Sequence, residues 1–137
     1  MLINVPLLIV PFIVFNVFGS GLIGGSVVDP WAAEVIRLNM ISGVPWIMKL
    51  GDLMITMGLF LLFFEIIKAT RVGASSIIDH LLSTFVLIAY LVEFLLVPFA
   101  AHAVFFLLMV IALVDVVAGF SISIRSATRD VAINQVY

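Results

Sequence analysis

Five carboxylates stand in or beside stretches that are otherwise apolar. Glu93 interrupts "FVLIAYLVEFLLVPF" (residues 85–99), Asp115 lies in "FFLLMVIALVDVVAGF" (105–120), and Glu65 closes "GLFLLFFE" (58–65). Asp52 and Asp79 stand near the starts of two such stretches. A carboxyl group in apolar surroundings can pass a proton, hold a cation, or hydrogen-bond a neighbouring helix, and acids of this kind mark ion routes and proton relays. An ionised carboxylate there without a partner is heavily penalised, so each is expected to be protonated, paired, cation-bound or hydrated.

Their spacing puts them on faces. At the helical period, Asp79, Ser83, Val86, Tyr90 and Glu93 fall in one narrow sector, and the opposite faces are Leu, Ile, Phe and Val. Gly51, Gly58 and Glu65 recur every seventh position, and Ala112, Asp115 and Gly119 share a face. Small residues in such stripes let helices approach closely. The acids are therefore expected to point into protein. Asn16 is the one polar side chain in the middle of the first apolar stretch.

The elements that must position these residues are membrane spans. The 137 residues are 65% hydrophobic and 10% charged, with a mean hydropathy of +1.40. A soluble domain of this size exposes too much of its surface to hide that much apolar area. The net charge of -2 gives no basic field for nucleic acid, and the absence of cysteine removes disulfides, thiolate metal sites and a thiol nucleophile. The opening "MLINVPLLIVPF" lacks the basic segment of a cleavable leader and reads as a retained span.

A span needs about 20 mainly apolar residues. Four stretches qualify, at about 2–22, 50–69, 77–99 and 102–124, giving an all-α, four-span bundle in a single membrane domain. The last two form an antiparallel hairpin. Lys68 and Arg71 follow span two, Arg125 and Arg129 follow span four, and the link between spans three and four carries no Lys or Arg. Both termini are then expected on the cytoplasmic side. Pro11 is expected to kink the first span. Residues 23–49 lie on the far side, where Asp29 and Pro30 predict a surface-lying helix from Trp31, with Trp31 and Trp46 as interfacial anchors. A docking face or lid is the sharper reading of that segment.

Within this frame Asp52, Glu93, Asp115 and Glu65 form a rough ladder across the membrane, and Lys68, Arg71 and Arg125 can reach Glu65 and Asp79 at the cytoplasmic surface. Asp79 and His80 could sense pH there. His80 and His102 belong to opposite surfaces, about 30 Å apart, and cannot share one ion within a monomer. "GSGLIGG" (19–25) is not preceded by a strand and is no phosphate loop, and no hydrolase or protease motif occurs. "EIIKATR" (65–71) and "ISIRSATR" (122–129) echo each other, as a parallel repeat or a common basic helix end would.

"GDLMITMGLFLLFFEIIKATR", "IIDHLLSTFVLIAYLVEFLLV" and "FFLLMVIALVDVVAGFSISIR" resemble segments of small four-span bacterial inner-membrane proteins. The likeness covers about residues 38–130 and includes Asp52, Glu65, Asp79, His80, Glu93 and Asp115. It implies a tetraspan fold in a bacterial inner membrane and no particular activity. The expectation is a non-enzymatic, cofactor-free accessory or scaffold subunit, or a self-assembling oligomer, with lipid and other membrane subunits as its partners. A small proton- or cation-conducting oligomer is the alternative. Lipid or quinone binding between helices is a weaker one.

Overall fold

The computed structural model describes residues 5–23, 28–71 and 74–134. The described chain runs α1 (Ile9–Gly19), a short β-hairpin of β1 (Glu34–Asn39) and β2 (Pro45–Lys49), then α2 (Leu50–Ala69), α3 (Ala74–Leu96) and α4 (Ala103–Asn134). Single 3-10 turns at Pro30–Ala32 and Pro98–Ala100 precede the hairpin and α4.

Three helices, α2, α3 and α4, are long and apolar enough to cross a membrane. Helix α2 occupies the expected residues because its start is capped: the Lys49 N–H donates to Asp52 Oδ2 at 3.0 Å. Lys68 in its last turn complements the helix dipole. Helix α4 runs on to Asn134, past the expected end at 124, and carries the exposed Arg125 and Arg129 with it.

The first expected span differs. Its helix has 11 residues, ~16 Å at the helical rise, about half of a hydrocarbon core. Residues 2–4 of that expectation lie outside the described residues. No kink arises at Pro11, because the helix begins at Ile9 and Pro11 falls in the first turn, where N–H groups have no partner inside the helix. The Leu7 carbonyl instead accepts from the Val10 N–H at 3.0 Å. At the other end Gly21, with φ of 77°, lets the chain leave the helix.

The expected outer helix is also overturned, and with it the all-α assignment. Asp29 does cap, its Oδ1 accepting from the Trp31 N–H at 3.0 Å, but the helix lasts one turn. The Ala33 carbonyl is taken by the Leu50 N–H at 2.8 Å, and the chain enters an antiparallel hairpin. Gly43, with φ of 81°, supplies the left-handed residue that the turn requires. A Val-Ile pair entering β1 and a Gly-Val-Pro turn favour strands over a continued helix.

Helix α4 packs against both α2 and α3, and α1 touches α2 and α4. The α2 surface against α4 is thin. A Cβ at Gly51 would meet Val104 Cγ2 at 2.7 Å, and one at Gly58 would meet Leu108 Cδ2 at 2.9 Å. The core is aromatic: Phe15, Tyr90 and Phe105 are fully buried, with Leu8, Val104, Leu108 and Ala112 around them. Phe60, Phe63, Leu95, Leu96 and Val117 point outward, as side chains facing lipid do.

Candidate functional site

The long helices fix the level of every polar group. Gly119 abuts His80, Ser76 meets Ser123, and Phe94 stacks with Phe105, so α3 and α4 keep one antiparallel register. By that register Asp115 is level with residue 84. Glu93 therefore stands ~13 Å along α3 from Asp115.

Two polar levels result. Near the Lys68 end, Glu65 and Asp115 are buried, with 4% and 5% of their surface exposed. Lys68 Nζ lies 3.2 Å from Glu65 and also donates to the Val5 carbonyl at 3.0 Å. The Leu7 N–H donates to Glu65 Oε1, so the start of α1 is held to α2 through one carboxylate. The Ser83 hydroxyl faces Asp115, and Glu65, Lys68 and Asp79 lie within electrostatic reach of it. One ammonium thus pairs with Glu65 and acts on Asp115 at a distance. At the other level, Asn16 Nδ2 donates to Glu93 Oε2 at 3.0 Å and joins α1 to α3, while Glu93 Oε1 is buried without a partner among the described residues.

Between the levels stand the rings of Phe12 and Tyr90, which meet edge-on at 4.9 Å. Phe105, stacked on Phe94 at the level of Glu93, packs 5.1 Å from Tyr90 and 4.8 Å from Phe15, and Phe15 stacks on Trp31 at 4.4 Å. The Tyr90 hydroxyl donates to the Leu8 carbonyl at 3.1 Å. The expected ladder is therefore not brought together as a continuous chain. Glu65 and Asp115 lie within electrostatic reach of each other; Glu93 is set apart from them by the Phe12 and Tyr90 rings. Asp52 is an exposed helix cap, bound to the Lys49 N–H.

The expected basic cluster is reduced to Lys68. Among the described residues, Arg71 and Arg125 are exposed and pair with neither Glu65 nor Asp79. His80, not Asp79, turns into the protein. Its Nε2 lies 2.5 Å from Ser123 Oγ and 3.2 Å from Ser76 Oγ, its ring is 5.4 Å from Phe120, and a Cβ on Gly119 would come within 2.7 Å of Nδ1. Asp79 keeps a buried Oδ1 without a partner among the described residues. His102 uses Nδ1 to accept from the Val104 N–H at 3.1 Å, starting α4, and directs Nε2 toward Asp29 at 3.6 Å. Trp31, expected in the headgroup layer, is instead 4% exposed against Phe15; Trp46 remains exposed on the hairpin.

Sequence reasoning missed Ser76, Ser123 and the aromatic core. Ser123 was within reach: extending the Ala112–Asp115–Gly119 stripe by one turn arrives at it. The backbone partners from Val5, Leu7 and Leu8 carry no such signal, since any residue type offers the same N–H and C=O. No group of three or more His, Asp and Glu side chains suited to a metal ion occurs among the described residues. No known family, curated protein or solved structure matches the chain.

Proposed function

We propose that this is a non-enzymatic integral membrane protein, an accessory or scaffold subunit of a membrane complex or a self-assembling oligomer. In this reading it forms a four-span bundle in a bacterial inner membrane, with both termini on the cytoplasmic side. The bias of Lys68, Arg71, Arg125 and Arg129 toward one end supports that orientation. One observation carries the reading. The inward-facing acids find partners at their own level, Glu65 with Lys68 of the same helix and with the Leu7 N–H before α1, and Glu93 with Asn16 of α1, and the Phe12 and Tyr90 rings stand between the levels. Such bonds tie helices together with about 0.6–2 kcal/mol each.

A proton- or cation-conducting oligomer is the second reading. Buried Glu65 and Asp115 within electrostatic reach of each other, and an Asp79 Oδ1 without a partner among the described residues, favour it at the Lys68 end. An apolar groove of about 500 Å3 between α1 and α3, lined by Pro6, Ile9, Phe12, Leu82, Phe85 and Val86, favours the third, lipid or quinone binding.

Native mass spectrometry after gentle extraction tests the scaffold. The expected spectrum shows a fixed homo-oligomer or a partner at constant stoichiometry. A bare monomer under conditions that preserve known membrane complexes contradicts it.

A further inference from the structure

The hairpin has two chemically different faces, and one residue makes them so. β1 pairs with β2 as Glu34–Lys49, Ile36–Met48, Arg37–Ile47, Leu38–Trp46 and Asn39–Pro45, with the irregularity between Glu34 and Ile36. Val35 is thus the extra residue of a β-bulge. Cross-strand partners share a face, and faces alternate along β2. One face therefore carries Ile36, Leu38, Trp46 and Met48. The other carries Glu34, Arg37, Asn39 and Lys49, with Ile47 and Pro45. The Glu34–Arg37 ion pair at 2.8 Å agrees, since without the bulge these two residues would lie on opposite faces. In strict alternation Glu34 would join Ile36 and Leu38; the bulge removes the charge from the apolar side.

Among the described residues most of that apolar side is uncovered, only Met48 being half-buried. Ile36 is 39% exposed, Leu38 51% and Trp46 40%, and the turn beyond adds Met40, Ile41 and Val44, all exposed. β2 passes into α2 with no intervening residue, at Lys49–Leu50. Trp46 is therefore held within ~14 Å of chain from the first residue of a membrane-length helix. The Leu50–Ala33 bond fastens the hairpin base to the same point. Glu34, Arg37, Lys49 and Asp52 balance in charge, so the polar side offers no net field toward a charged partner.

We infer that the hairpin lies flat in the lipid headgroup–acyl boundary, with Ile36, Leu38, Trp46 and Met48 against the acyl chains and Glu34, Arg37, Asn39 and Lys49 toward water. It adjoins the start of α2, whose Leu53, Leu59 and Phe60 are exposed. The proposal rests on α2 spanning the bilayer, and the test separates the two.

The chain has no cysteine, so single cysteines can be introduced and labelled with an environment-sensitive fluorophore. Leu38→Cys and Asn39→Cys are neighbours on opposite faces, both exposed, and Phe60→Cys, 63% exposed on α2, reports on the span. The labelled protein is placed in phosphatidylcholine vesicles with either a lipid quencher, doxyl groups at shallow and deep acyl positions together, or aqueous iodide. The Leu38 site is expected to lose most of its emission to the lipid quencher and little to iodide, and the Asn39 site the reverse. Equal iodide access at both sites overturns the proposal. So does a Leu38 site shielded from both quenchers, which would mean that a second copy or another subunit covers that face. If Phe60 escapes the lipid quencher, the spanning reading falls and takes the hairpin with it. If Phe60 is quenched and Leu38 is not, only the hairpin proposal falls.

Discussion

Lys68→Met is expected to cost about 3 kcal/mol of stability, because it strips the paired cation from buried Glu65 and removes a positive charge within reach of buried Asp115. Glu65 and Asp115 expose 4% and 5% of their surface, and the Lys68 side chain itself exposes only 14%. The substitution also frees the Val5 carbonyl, which accepts from Lys68 Nζ. Adding Glu65→Gln to Lys68→Met should recover most of the loss, since the amide oxygen can still accept from the Leu7 N–H and carries no charge to bury. Glu65→Gln alone should be milder than Lys68→Met, because a freed lysine can extend its stem toward water while a freed carboxylate in mid-protein cannot. Unfolding in mixed micelles, read by circular dichroism, measures all three. Equal losses for Lys68→Met with and without Glu65→Gln would show that Glu65 is not what Lys68 serves.

Phe105→Ala should be comparably severe. The ring is fully buried and touches Phe12, Phe15, Tyr90 and Phe94, so its removal opens a cavity in the aromatic core that α1, α3 and α4 share. A cost of about 3 kcal/mol is expected, the lower end of the range for buried Phe in water-soluble cores. The lower end applies because in lipid the unpacked side chain remains in an apolar medium, and only packing is lost. Leu107→Ala, two positions along α4 and 42% exposed, should change stability by less than about 1 kcal/mol. The same mixed-micelle titration reads both; similar losses for the two would mean that this core does not hold the helices.

The sequence made the long helices legible because hydropathy and caps coincide there. Residues 50–69 form α2 as expected, with Asp52 bonded to the Lys49 N–H. The hairpin was hidden by its own bulge. Glu34-Val35-Ile36 breaks the two-residue alternation that marks a strand, and Asp29-Pro30 gives an honest helix start that one tertiary bond, Leu50 to Ala33, cuts short. The first helix was overextended because hydropathy measures solubility in lipid, not where the chain is helical. For the polar groups, the acids stood out against an apolar background and their faces followed from the helical period. Their partners did not stand out. Glu65 is held partly by a backbone N–H, Tyr90 bonds a backbone carbonyl, and the rings that part Glu93 from Asp115 come from α1 and α3, whose relative placement no spacing encodes.

Proton flux in proteoliposomes tests the central claim most directly, that the acidic side chains join helices and do not form a conducting path. With an imposed pH gradient and an internal pH-sensitive dye, vesicles holding the protein, its Glu93→Gln form or its Asp115→Asn form should all dissipate the gradient at the rate of empty vesicles. Faster dissipation by the unaltered protein that either substitution abolishes would contradict the account.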